Sequence, residues 1–236
     1  MKIKWYNTIE STFSAMEKSK NQLHHKDVWA AYFQTAGRGQ RGNVWYSDAG
    51  HNLTFSIYLL PQHVPACEQF SISQAISLGV CRYLDSRGVE ATVKWPNDIY
   101  VGGNKICGIL ISHTLSGASI KDTIAGIGLN INQREFPQEI PNPTSLNLAT
   151  GKTYVIENEL EALLNQIFYE YDAIGPSTTQ RYLDRLYLKD APHTFTVAAT
   201  KEKLEGCITD VAPDGRLIIT GKDGSNHLFA FKEIIY

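Results

Sequence analysis

The spacing of apolar residues changes several times along the chain, and each change marks a predicted element. Ser11 stands as a helix cap before residues 12–19, where Ser14 and Glu17 also have capping-box spacing. DVWAAYFQ (27–34) and LTFSIYLL (53–60) are apolar runs of strand length, the second ended by Pro61. Over 65–87, Phe70, Ile72, Ile76, Val80, Tyr83 and Leu84 recur near helical spacing, and Gly88 can close that helix. Strands are predicted next at 91–95, 99–101 and 105–112, with Gly102, Gly103 and Asn104 turning the chain between the last two. DTIAGIGLNI (122–131) reads as another strand, and 132–150, with Pro137, Pro141 and Pro143, as loop. Two helices follow, at 157–174 and 178–188.

Beyond Pro192 only short strands and turn residues remain, and roughly 45 residues of this kind suit a small SH3-like barrel. The expectation is therefore an α+β fold: a mixed β-sheet packed with helices over residues 1–190 and a small β domain over 191–236.

Composition narrows the partners. The chain has 236 residues, enough for one sizeable core plus a small second unit, and sets 22 Lys and Arg against 24 Asp and Glu. With no global basic field, neither nucleic acid nor a membrane surface is an expected partner. Cys67, Cys81, Cys107 and Cys207 form no C-x-x-C pair and sit in apolar surroundings, which suggests reduced, mostly buried thiols. The histidines make no H-x-H or H-E-x-x-H pattern, so no zinc site is expected and metal ligands stay unassigned. MKIKWYNTIE lacks an apolar signal region and no run of 18 apolar residues occurs, so a soluble, cytoplasmic protein is expected.

QTAGRGQRGNVW (34–45) contains the letters G-x-G-x-x-G at Gly37, Gly39 and Gly42. A dinucleotide site needs a strand before such glycines, a helix immediately after, and an acidic residue about 20 positions on. The strand is present, but NVWYSDAGHNLTF favours turns and extended chain, and the nearest acid is Glu68. A phosphate-binding P-loop fails as well, because no G-K-[ST] closes the motif. What remains is a loop of glycines and two arginines, fit either to approach an anion or simply to bend at the surface. The second informative stretch is KWPNDIYVGGNKICGIL (94–110). Lys94 ends a buried-looking strand, which is costly unless the ammonium meets an anion or snorkels to solvent.

Together, GRGQRGNVW, KWPNDIYVGGNKICGIL, GIGLNIN (126–132) and PTSL (143–146) resemble the biotin protein ligases (biotin acetyl-CoA-carboxylase ligases). The resemblance covers essentially the whole chain. It implies a catalytic domain like those of class II aminoacyl-tRNA synthetases and biotin and lipoate ligases, followed by the SH3-like barrel. It also implies two half-reactions. Biotin and MgATP give biotinyl-5'-AMP and pyrophosphate, and a lysine of a biotin carboxyl carrier protein domain, in acetyl-CoA carboxylase or another biotin-dependent carboxylase, then takes the biotin. Relatives that repress transcription carry an amino-terminal helix-turn-helix domain; with Ser11 and Thr12 so near the start, a short form without it is expected. A homodimer through strand edges stays open.

By that resemblance, Lys94 and Arg38 are the catalytic cations, because positive charge lowers the barrier when the biotin carboxylate approaches the α-phosphorus. Ser11, Thr12 and Gln34 are expected at the ureido ring, with Arg38, Gly39, Gln40, Lys94 and Gly108 also on the biotin side. Gly37, Arg38, Arg41, Trp45, Lys94, Asn97, Lys105 and Asn130 are expected toward ATP and the adenylate. Trp45 reads as an aromatic lid on a mobile loop or, alternatively, as a core tryptophan. No protein nucleophile is needed, since the acyl phosphate anhydride is already activated.

Two positions depart from the family pattern. Phe13 stands where the family commonly has Asn after Ser-Thr, and Gln40 replaces the second arginine of G-R-G-R. Two other functions compete. A lipoate or octanoate ligase shares the fold and a related lysine motif, and a thermal-shift comparison of biotin with lipoate separates the two. An RNA-binding patch at GRGQRG is the other, and near-neutral composition argues against it.

Overall fold

In the computed structural model, residues 2–236 are described, the Arg41 side chain excepted. The six strand runs found in the sequence before residue 132 become six strands of one seven-stranded sheet. In chain order its strands are β1 (Lys2–Ile9), β2 (Asp27–Gln34), β3 (Leu53–Leu59), β4 (Thr92–Lys94), β5 (Asp98–Val101), β6 (Asn104–Ser116) and β7 (Ser119–Leu129). In space the order is β1-β2-β3-β7-β6-β5-β4; β1 runs parallel to β2 and the other neighbours are antiparallel, so the sheet is mixed. β3 is buried at all seven positions, as a continuous apolar run in a covered central strand must be.

The helices are α1 (Thr12–Lys18), α2 (Phe70–Ser86), α3 (Leu146–Thr150), α4 (Ile156–Asp172) and α5 (Thr178–Leu183). Ser11 caps α1, its Oγ accepting from the Ser14 amide at 3.3 Å. Gly102 and Gly103, at φ 56° and 81°, make the two-residue hairpin turn, with Val101 opposite Asn104.

The sequence reading missed β1 and α3. The second lies within the stretch read as loop, and a short helix survives there because Ser145 caps it and Gly151, at φ 72°, ends it. The thiols also differ from expectation, since Cys81 and Cys107 are buried but Cys67 is exposed and Cys207 half-buried.

The remaining strands, β8 (His193–Val197), β9 (Lys203–Val211), β10 (Leu217–Gly221), β11 (Asn226–Phe229) and β12 (Ile234–Ile235), form a separate antiparallel sheet in the order β11-β10-β9-β8-β12. Among the described residues β11 and β12 do not pair, so the expected closed barrel is an open five-stranded sheet. Its apolar face continues the main core: Phe195, Ile208, Leu217 and Ile219 belong to the same buried cluster as Val93, Trp95 and Tyr182. The Trp95 Nε1–H donates to the Gly215 carbonyl at 2.9 Å, and this ties the second sheet to the chain just after β4.

Candidate active site

A cavity of about 920 Å³ opens over one face of the main sheet. Its walls come from the start of α1, the glycine loop, the turn after β4, the 136–143 loop and the end of the second sheet; its floor is β6 and β7. The long strand pair supplies a flat base because Gly108 and Gly128 sit opposite each other in register and have no side chains to fill it.

At one end the cavity is lined by neutral hydrogen-bonding groups. The Thr12 amide donates to Gln34 Oε1 at 2.7 Å, and the Thr12 hydroxyl lies 3.2 Å from the same oxygen and 2.8 Å from Ser56 Oγ. Ser11, Thr12 and Ser56 are buried, so these contacts orient groups that would otherwise lose water without replacement. Phe13, the residue that departs from the family pattern, faces Gly126, where a Cβ would lie 3.0 Å from its ring. It is buried with Met16, Tyr58 and Ile124.

The glycine loop folds into a small hairpin beside this end. Arg38 bridges to Val44, the Gly39 amide donates to the Asn43 carbonyl at 2.7 Å, and the Trp45 amide donates to the Gly37 carbonyl at 3.0 Å. Gly37 is required by close approach, since a Cβ there would stand 2.5 Å from the Trp45 carbonyl oxygen. A tight turn over Gln40–Gly42 separates the two arms, and no helix follows, as the sequence context implied. The Trp45 indole lies flat on the glycine floor; a Cβ on Gly128 would meet it at 2.3 Å and one on Gly108 at 2.9 Å. Its Nε1 is buried with no hydrogen-bond partner among the described residues.

The three cations expected from the sequence whose side chains are described, Arg38, Lys94 and Lys105, differ in how they are held. Arg38 donates to Glu17 Oε2 at 2.8 Å and Ser14 Oγ at 3.2 Å and lies over the Phe13 ring, so its guanidinium is engaged with α1. Lys105 donates to Asp98 Oδ2 at 2.7 Å. Lys94 forms no ion pair among the described residues; its Nζ lies 3.4 Å from Tyr100 Oη and beside the rings of Tyr100 and Tyr236. Half-burial pushes the Lys94 ammonium below the ordinary lysine range, and the Asp98 carboxylate partly opposes that shift.

Other expected residues line the same cavity. Asn97 and Gln40 both donate to the Ile109 carbonyl, at 2.6 and 3.4 Å, which pins the loop and the β4–β5 turn to β6. Asn130 donates to the Thr144 carbonyl at 2.9 Å and leaves its Oδ1 buried without a partner, an open acceptor on the cavity wall. Ser11, Thr12, Gln34, Gly39, Trp45 and Gly108 also line the cavity, whereas Gly37, expected toward the adenylate, does not and instead accepts from the Trp45 amide within the loop. The Arg41 side chain lies outside the described residues.

Sequence reasoning missed Ser56, Tyr100 and Tyr236. A serine inside the otherwise apolar run LTFSIYLL was a usable signal for Ser56; Tyr236 carried none, because only folding brings it to Lys94. Among the described residues no three His, Cys, Asp or Glu groups come together as a metal cluster, and Asp98 and Glu139 line the cavity singly.

Residues 5–132 match the model of the Biotin/lipoate A/B protein ligase family. The bifunctional ligase/repressor BirA of Bacillus spizizenii is 32% identical over 153 residues, covering 63% of this chain and 47% of that protein. The biotin--[acetyl-CoA-carboxylase] ligase of Paracoccus denitrificans is 35% identical over 105 residues, 42% of this chain and 41% of that one. The chain thus spans about half the length of the curated relatives it matches. The biotin protein ligase from Aquifex aeolicus, solved in complex with biotin and ATP, superposes with a TM-score of 0.81 at 24% identity, over 99% of this chain and 97% of that one.

Proposed function

As the chain belongs to the Biotin/lipoate A/B protein ligase family, we propose that it activates biotin with ATP to biotinyl-5'-AMP. We further propose that it transfers the biotin to a lysine of a carboxylase's carrier domain. The observation that carries this reading is the state of Lys94, a half-buried ammonium held in the cavity without a carboxylate. In the first step two anions meet, the biotin carboxylate and the α-phosphate, and an unneutralised cation at that point lowers the barrier. Arg38 joins it once substrate phosphates compete for the guanidinium with Glu17, a half-exposed partner.

The cluster of Ser11, Thr12, Gln34 and Ser56 favours biotin over lipoate. A ureido ring offers N–H donors and a carbonyl acceptor to these groups; a dithiolane ring offers neither and would displace water from them without replacing its hydrogen bonds. Trp45, Asn97, Lys105 and Asn130 make the nucleotide side, with Arg41 as a further phosphate ligand. Magnesium enters with ATP, carried on its phosphates. Its separate five-stranded sheet supports treating 191–236 as a second domain, although its core is continuous with that of the first, and its last residues line one wall of the site. Among the described residues no helix is long and apolar enough to cross a membrane; a cytoplasmic setting is part of this reading, supported by four unpaired cysteines.

Pyrophosphate release from ATP with biotin as the only added acid, followed by label transfer to a carrier-domain lysine, tests the proposal. Release without biotin dependence, or none from folded protein, overturns it.

A further inference from the structure

Two aromatic rings from distant parts of the chain enclose the Lys94 ammonium. Nζ lies 4.7 Å from the Tyr236 ring centroid and 5.1 Å from that of Tyr100. Tyr100 is local, since it sits on β5 opposite Thr92 on β4. Tyr236 comes from the second sheet, just beyond β12, and is braced there edge-on against Phe195 with centroids 5.6 Å apart. Its hydroxyl is buried with no hydrogen-bond partner among the described residues, so its contact with Lys94 is through the ring.

We propose that Tyr236 is a positioning residue for Lys94, so that the second sheet completes the reacting end of the cavity. A lysine is a compact, strongly hydrated charge on a flexible four-carbon stem, and something must restrict it. A carboxylate would do so by neutralising the charge that the phosphate needs, as Asp98 does for Lys105. An aromatic face attracts the ammonium through the ring quadrupole and leaves its N–H groups unspent. Tyr236 therefore holds the cation without cancelling it. The Trp95–Gly215 hydrogen bond one residue further along keeps the second sheet in the register this contact needs.

The first test does not depend on the proposed activity. Lysines are dimethylated with ¹³C-formaldehyde and a borohydride-type reductant, and the Lys94 signal is identified by its loss in Lys94→Arg. In the unaltered protein it is shifted upfield by the rings; Tyr236→Leu moves it toward the position of exposed lysines, and Tyr236→Phe keeps it. Should Tyr236→Leu not fold, Tyr236→Met fills similar volume without a ring.

The second test rests on the functional reading. Tyr236→Leu lowers kcat of biotin-dependent pyrophosphate release about tenfold with little change in KM, and Tyr236→Phe restores most of it. In a Lys94→Ala background the same substitution adds less than about twofold, because the two residues act as one unit. A Lys94 signal indifferent to Tyr236→Leu, or a loss that adds in full without Lys94, overturns the proposal. An upfield Lys94 signal in a protein that releases no pyrophosphate instead refutes the functional reading and leaves the contact standing.

Discussion

Around Thr12 the cavity is arranged by short hydrogen bonds among buried neutral groups, while around Lys94 it is arranged by charges that carboxylates or aromatic rings hold in place. The first region is preorganised: Thr12, Gln34 and Ser56 already fix one another by hydrogen bonds. On the proposed reading the second is poised, because Arg38 and Lys105, now paired with Glu17 and Asp98, would exchange these for phosphate. On that reading, specificity rests on the prearranged hydrogen bonds of the first region and catalysis on the cations of the second, and substitutions in the two regions should fail in different ways.

The largest effect is expected at Lys94. Lys94→Ala should lower kcat for pyrophosphate release by roughly 100- to 1000-fold, the size of losing one main electrostatic stabiliser, with biotin affinity changed far less. Equal losses in kcat and in biotin binding would show that Lys94 serves the ground state. Its titration gives a matching signature. Burial disfavours the charged form, so the ammonium is lost as pH rises through a value below the ordinary lysine range, and activity should fall on the alkaline side at that point. Lys94→Arg should abolish that limb whatever rate it retains.

Thr12→Val attacks the other region. It keeps the volume, removes the hydroxyl that contacts Gln34 and Ser56, and leaves buried Ser56 short of a partner. Losing a buried hydrogen bond of this kind costs about 1–2 kcal/mol, so biotin affinity measured by calorimetry should fall roughly 5- to 30-fold with kcat little changed. A drop confined to kcat would contradict the division between the two ends.

Glu17→Gln should act in the opposite direction and more weakly. The Arg38–Glu17 pair is substantially exposed on both sides, and such pairs are worth about 0.2–1 kcal/mol. Releasing Arg38 should lower KM for ATP by up to about fivefold. A raised KM would mean that Glu17 presents Arg38 to the nucleotide instead of withholding it.

How much of this was legible in the sequence follows the same division. The ends of β2 and the Ser11 cap were readable because local pattern decides them: a six-residue apolar run between Asp27 and Gln34 and a capping serine need no tertiary information. The absence of a helix after Gly42 was readable for the same reason. β1 was not, because an edge strand with alternating exposure carries a weak apolar signal and is defined by its parallel partner. Barrel closure was overestimated because strand count does not report whether the last strands meet. The motifs named Lys94, Arg38 and Lys105 as a set, yet Glu17 and Asp98, which hold two of them, and Tyr236, which encloses the third, became visible only as contacts.

An effect no larger than that at Glu17 is expected at Gln40, where the chain departs from the family's second arginine. Its amide reaches the Ile109 carbonyl at 3.4 Å, and Asn97 already occupies that oxygen at 2.6 Å, so the Gln40 contact is the weaker of the two and little is lost by removing it. A guanidinium on the same loop adds charge near an adenylate whose phosphate is anionic, and as a partly exposed contact it should contribute no more than about 1 kcal/mol. Gln40→Arg should therefore slow escape of biotinyl-AMP by up to about fivefold while leaving its formation nearly unchanged, measured as intermediate release after a single turnover. An unchanged release rate would show that closure over the intermediate is set by Trp45 and the hairpin, and that the loop holds its ligand by shape instead of charge.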